Sequence, residues 1–363
     1  MTALQILLFA GLLLIGGLFF IGCGVPATVT PSAVTAPVSE SAAPAPPTAT
    51  STDTPAPTDA PIPTPTPNPS PTPSPTEAAS ATDTPAAEPT TTFAQPTEEA
   101  AATPLPPSTI NGVPYSEFIL MDNAVKARVR EIVAQGQKQG RDPHAFSKLG
   151  DSLIANPYFL RVFDQKDPNL GDYNLGDYAF LQDVIDHYSG SYDRYGVAIH
   201  VGLHAWSVFD PMWADKQWCN PGENLLDCEI RLNNPSLMLV LLGANDDAPQ
   251  GTFEKSYDQI IQHIIEQGIV PILYTKADRF EGPDNRNNIS IKKIAEKYQA
   301  PLLDFDHLAD TLPNRGLGPD GIHLSIAPTN DYRLPETFHY GNTVHNLATL
   351  IMLDRVQNTL TGP

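Results

Sequence analysis

Positive charge is missing from the first third of this chain. None of the 21 lysines and arginines falls within residues 1–108, while 41 carboxylates spread over 363 residues leave a formal net charge of −20. Basic residues do not cluster later either, which argues against nucleic acid or an anionic lipid surface as a partner. Cysteine is also scarce. There are three, and Cys219 and Cys228 in "WCNPGENLLDC" have no third and fourth ligand nearby at zinc-site spacing, so no metal site is expected. An even pair in an exported domain instead points to a disulfide closing a small loop, the alternative being two free thiols in a chain that is not exported.

One long apolar run is present. Residues 3–22, "ALQILLFAGLLLIGGLFFIG", carry no charge, are about long enough to cross a bilayer, and lead into "FIGCG". A small residue followed by cysteine after such a run resembles the lipobox of bacterial lipoproteins, which would make Cys23 a lipidated mature N-terminus. Phe20 and the uncharged "MTALQ" depart from the usual signal pattern, and an uncleaved anchor is the other reading of residues 1–23. Both readings export the chain and tether it to the outer face of a membrane. Residues 24–108 hold 22 of the 38 prolines and eight carboxylates, in runs such as "PIPTPTPNPSPTPSPTEAAS". A segment with so little to bury cannot offset its ordering entropy, so it is expected to be a disordered spacer. Where it is polyproline II it extends by about 3.1 Å per residue.

Residues 109–363 carry every basic residue and a net charge of −12, enough chain for one sizeable core. Their pattern alternates. A helix is expected in "SEFILMDNAVKARVREIVAQG", with Gly136 as one place for it to stop, then a strand in "HAFSKLG" and a helix in "DYAFLQDVIDHYSG". A second strand is expected in "YGVAIHVG". "SLMLVLLG" reads as a strand buried on both faces, and the amphipathic "TFEKSYDQIIQHIIEQG" as the helix after it. "IVPILYT" and "PLLDF" supply further strands, "NISIKKIAEKYQ" and "NTVHNLATLIMLDRVQNTL" further helices. The alternation predicts an α/β fold, a three-layer α/β/α sandwich on a mainly parallel sheet, whose ligands bind at the carboxyl ends of the strands.

Small polar groups stand where those strands end: Gly150-Asp151-Ser152, Gly202 in "HVGLHAWS", Gly243-Ala244-Asn245-Asp246, and Asp320 with His323 in "LGPDGIHLS". In this order the blocks resemble the SGNH, or GDSL-type, hydrolases, whose flavodoxin-like sandwich agrees with the fold expected from periodicity. The resemblance spans residues 146–324. It implies Ser152 as nucleophile, His323 as base and Asp320 as the carboxylate orienting it. It also implies an oxyanion site made by the N–H groups of Ser152 and Gly202 and the side chain of Asn245. Gly150, Asp151 and Gly243 would support the turns. The family often shows Gly-x-x-Gly where this chain has Gly202-Leu203-His204-Ala205, which leaves open whether Gly202 or Ala205 gives the second N–H.

The residue types suit the chemistry. A serine hydroxyl needs an adjacent base, an imidazole titrates near neutrality, and a carboxylate on its other nitrogen fixes the tautomer. His200, His204, His263, His339 and His345 default to packing or surface roles, whereas Trp206, Trp213 and Trp218 flank the glycine block and offer stacking faces for a sugar ring. The expectation is an exported serine esterase needing no cofactor and acting on an ester, an acylated glycan being the leading candidate. The rival is a catalytically silent glycan-binding lipoprotein on the same fold.

Overall fold

The computed structural model describes residues 106–247 and 252–362, all within the unit Ala94–Pro363. Cys23, the segment 1–23 and nearly all of the expected spacer 24–108 lie outside the described residues. No helix among the described residues is long and apolar enough to cross a membrane.

Five strands form the central sheet: β1 (Ile119–Leu120), β2 (Asp142–Gly150), β3 (Pro235–Leu241), β4 (Val270–Tyr274) and β5 (Leu302–Leu303). Their order is β1-β5-β4-β3-β2, with β1 antiparallel to β5 and every other pairing parallel. All seven residues of β3 are buried, which is why its sequence is an unbroken apolar run rather than an alternating one. Gly150 stands opposite Leu241, so the ends of the two central motif-bearing strands are level.

Five longer helices cover the sheet: α1 (Asn123–Lys138), α2 (Leu225–Asn233), α3 (Thr252–Glu266), α4 (Arg286–Tyr298) and α5 (Gly341–Thr361). The crossovers β3-α3-β4 and β4-α4-β5 run in one direction along the sheet, and their shared right-handedness places α3 and α4 together on one face. α1 and α5 pack against each other on the opposite face. The mainly parallel α/β/α sandwich expected from the sequence is therefore the fold observed. α5 is buried on most of its circumference, held under both the sheet and the segment 335–339.

Three local expectations differ from the structure. α1 does not stop at Gly136 but runs to Lys138; a Cβ at Gly136 would lie 2.2 Å from the Gly268 carbonyl oxygen, so this glycine permits a close crossing of two turns. "YGVAIHVG" is not a strand. Only Ile199 bridges Gly150, through Gly150 N–H to the Ala198 carbonyl (3.2 Å) and His200 N–H to the Gly150 carbonyl (3.0 Å). The N–H of Val197 goes to the Glu229 carboxylate at 2.7 Å, and Gly202 turns the chain away at φ +79°, so the ladder ends on both sides of that bridge.

The helix expected in "DYAFLQDVIDHYSG" is split into a 3-10 turn over Gly176–Leu181 and a short α-helix over Gln182–His187. Just before it, Tyr173–Asn174 pairs in parallel with Asn330–Asp331, joining the segment that follows Ser152 to the one that follows His323.

Candidate active site

β2 delivers Ser152 through a glycine and an aspartate with separate tasks. A Cβ at Gly150 would fall 2.4 Å from the Leu241 carbonyl oxygen and 2.6 Å from Ile154 Cγ2. Its φ is not in the left-handed region, so Gly150 is required for room and not, as its place before a turn suggests, for a sharp backbone bend. Gly243, at φ +120°, does use a conformation favouring glycine. Asp151 is fully buried at the N-cap of the turn Ser152–Ala155. Its Oδ1 accepts the Leu153 N–H at 3.0 Å and its Oδ2 the Ala244 N–H at 3.1 Å. Burial outweighs both bonds and pushes its pKa up to about 7. Ser152 itself opens the turn, and neither its N–H nor its Oγ has a partner among the described residues.

The second arm is the loop 317–324. Leu317 bridges Leu324, and Gly318 N–H donates to the His323 carbonyl at 2.8 Å, which closes the loop and presents His323 at its end. Asp320 Oδ1 accepts the N–H groups of both Ile322 and His323 at 3.0 Å, and Oδ2 receives His323 Nδ1 at 2.7 Å. Those three bonds, with little burial to oppose them, draw the Asp320 pKa down to about 2. With Nδ1 as the donor to Asp320, Nε2 of His323 is the free basic nitrogen.

The two arms meet over one small cavity. Leu153, next to Ser152, lines a space of about 20 Å³ together with Ile322 and Leu324, the residues on either side of His323; Leu241, Ala277 and His345 are among its other walls. Residues 171 positions apart in the chain are thus brought to the same point at the carboxyl end of the sheet.

The glycine block and Gly-Ala-Asn-Asp are laced together beside them. Ala205 N–H is engaged by both oxygens of Asp246, at 3.1 and 3.2 Å, whereas Gly202 N–H has no acceptor among the described residues. Asn245 Nδ2 reaches the Leu203 carbonyl at 3.4 Å, which occupies one of its two amide hydrogens. Asp246 is buried and its pKa is pushed up to about 6, with Ala205, His204 and Lys276 opposing the effect of burial and Asp247 adding to it.

Sequence reading missed what lies beneath. Lys276 is buried and paired with Asp278 at 2.8 Å and with Glu281. Asn287 Nδ2 donates to the carbonyls of Gly243 (3.0 Å) and Asp246 (2.9 Å), so the segment 275–288 is tied down at its root although Phe280 is exposed. Polar residues in a stretch without periodicity look like solvated loop, and only the run Lys-Ala-Asp at the end of β4 hints otherwise.

Cys219 and Cys228 are disulfide-bonded, with Cα atoms 5.3 Å apart. Trp206 is exposed and stacked on His204 (5.5 Å, 26°); Trp213 meets His200 edge-on at 5.5 Å, and Trp218 is exposed. His263 bonds Asp227 at 2.7 Å, and His345 is buried among Phe159, Tyr274 and Phe305. The one grouping of metal-binding residue types among the described residues, Cys219, Glu223 and Cys228, has both sulfurs committed to the disulfide.

No protein-family model and no curated protein matches the chain. Several solved structures of esterases are similar to it. The psychrotrophic esterase EstA from Pseudoalteromonas sp. is 17% identical, with a TM-score of 0.38 over 60% of this chain and 100% of that one. CEX, a two-domain esterase active on acetylated mannans, is 13% identical with a TM-score of 0.38, matching 69% of this chain and 57% of that one. Axe2, an acetylxylan esterase from Geobacillus stearothermophilus, is 14% identical with a TM-score of 0.36, over 58% and 93% of the two chains.

Proposed function

We propose that this chain is a serine esterase of the SGNH type that removes short acyl groups, acetyl foremost, from a polysaccharide outside the cell. His323 Nε2 takes the Ser152 proton as Oγ attacks the ester carbonyl. The oxyanion then faces three donors: the N–H of Ser152, the N–H of Gly202 and the second amide hydrogen of Asn245. His323 returns the proton to the departing sugar hydroxyl, leaving Ser152 acylated. Water, deprotonated by the same nitrogen, releases the acid and restores the serine.

The observation that carries this reading is the grip on Asp320. One carboxylate holds two backbone N–H groups and His323 Nδ1 at once, so the imidazole is fixed in the tautomer that serves as a base. A merely surface histidine needs no such arrangement. The glycan half of the proposal rests on Trp206, an exposed indole four residues from Gly202 and backed by His204. The tether rests on sequence: the apolar run before Cys23 anchors the chain, lipidated or not, and the spacer lifts the enzyme clear of the membrane.

Intact mass of the full chain after exposure to a small fluorophosphonate tests the chemistry. One adduct on the wild type and none on Ser152→Ala is the expected result. A folded chain that takes no adduct would sink the esterase reading in favour of a silent glycan-binding protein.

A further inference from the structure

We infer that Asp246 is a positioning residue that sets the oxyanion site by withdrawing one backbone donor and aiming another. This rests on the esterase reading above. The glycine block offers two N–H groups within four residues, Gly202 and Ala205, and a tetrahedral oxyanion has use for one at a defined point. Asp246 takes Ala205 with both carboxylate oxygens, at 3.1 and 3.2 Å. Gly202 N–H is left without an acceptor among the described residues, at the start of the turn so fixed.

The clamp is itself held. The Asp246 carbonyl receives Asn287 Nδ2 at 2.9 Å, and the same amide holds the Gly243 carbonyl at 3.0 Å, so the backbone from which the carboxylate projects is tied down just past the end of β3. One residue along, Asn245 holds the Leu203 carbonyl and Asp151 holds Ala244 N–H. Ala205 and Ser207 are buried, and His204 and Ser207 bond each other reciprocally across the 3-10 turn. A turn fixed at this many points moves as a unit. Releasing Ala205 therefore displaces Gly202 rather than merely freeing a second donor.

Two substitutions separate the clamp from direct participation. Asp246→Asn keeps one acceptor oxygen and Asp246→Ala none. Ala205→Pro deletes the clamped N–H at the first position of a helical turn, where proline is tolerated, after His204, whose extended backbone (φ −103°, ψ 148°) suits a residue before proline. With a small ester and the full chain, Asp246→Ala should lower kcat about a hundredfold, the usual consequence of misplacing a reacting group by about an ångström. Asp246→Asn should lose less, KM should change less than about twofold in both, and fluorophosphonate labelling should slow in parallel.

The two sites should also couple. Asp246→Asn with Ala205→Pro should be no slower than the worse single variant, because each breaks the same contact. In the wild type, amide exchange resolved to single residues should find Ala205 protected and Gly202 not, a readout that survives if a variant fails to fold. A wild type that takes no adduct overturns the esterase reading and this inference with it. A labelled wild type with an unprotected Ala205, with an Asp246→Asn variant labelled at the wild-type rate, or with losses that multiply in the double variant overturns this inference alone.

Discussion

Asp151 and Asp320 cap their turns alike, yet they sit in opposite electrostatic conditions. Each accepts an N–H two residues ahead, at 3.0 Å in both cases. Asp320 is half exposed, its charge is favoured by three bonds and its pKa falls to about 2. Asp151 is enclosed, and although it too accepts a pair of N–H groups, burial drives its pKa to about 7. The same bond to the N–H two residues ahead therefore accompanies a favoured charge in one arm and a carboxylate held well above its usual range in the other. Solvent access makes the difference, and it leaves the charge on the arm whose carboxylate is bonded to an imidazole.

The sharpest way to break that comparison is Asp320→Asn. Activity should fall about a thousandfold or more, as it does when the orienting carboxylate of a serine triad is neutralised, while the thermal midpoint moves little because the residue is exposed. Equal losses of activity and stability would make Asp320 a structural cap only.

A smaller effect sharpens the other side. Between pH 4 and 7 the folded chain keeps a proton on Asp151 that the unfolded chain has released, so this group's contribution to stability falls as pH rises through that window. Asp246, raised to about 6, acts with the same sign. Asp151→Asn removes the first contribution. In urea unfolding of the full chain followed by tryptophan fluorescence, the variant should gain on the wild type between pH 5 and pH 8, on the order of 1 to 3 kcal/mol. Curves that shift in parallel at both pH values would show that Asp151 titrates normally.

The smallest change belongs outside both arms. Trp206→Ala should raise KM several-fold for an acetylated oligosaccharide and leave a small ester untouched, since one stacking face contributes about 1 kcal/mol. Equal effects on the two substrates would place Trp206 in the scaffold.

What was legible in the sequence follows from how each element is stabilised. β3 announced itself because a strand buried on both faces has no solvent side to interrupt its apolar run. Two of the motifs were legible as small polar residues after strands, Gly150-Asp151-Ser152 after β2 and Gly243-Ala244-Asn245-Asp246 after β3; the structure places Leu153, Ile322 and Leu324, the neighbours of Ser152 and His323, around one cavity and joins Asn245 to the Leu203 carbonyl. "YGVAIHVG" misled because its alternation is that of a strand, while its partners are decided by Glu229, a carboxylate 32 residues beyond Val197. Gly136 and Gly150 looked like punctuation; both are points where another backbone comes too close for a Cβ. Asp246 was visible as a residue but not as a clamp, since its grip on Ala205 spans 41 positions and leaves no periodic trace.

The parallel pairing of Tyr173–Asn174 with Asn330–Asp331 has an architectural consequence. Both strands belong to long excursions, one after Ser152 and one after His323, and Tyr178, Tyr332 and Phe338 pack against one another in a triad that makes them a single wall. None of that wall is part of the central sheet. Lengthening or trimming the two excursions together would therefore alter the chain that follows each arm while the central sheet stayed as it is, so this pair is a joint that can vary without touching the sheet.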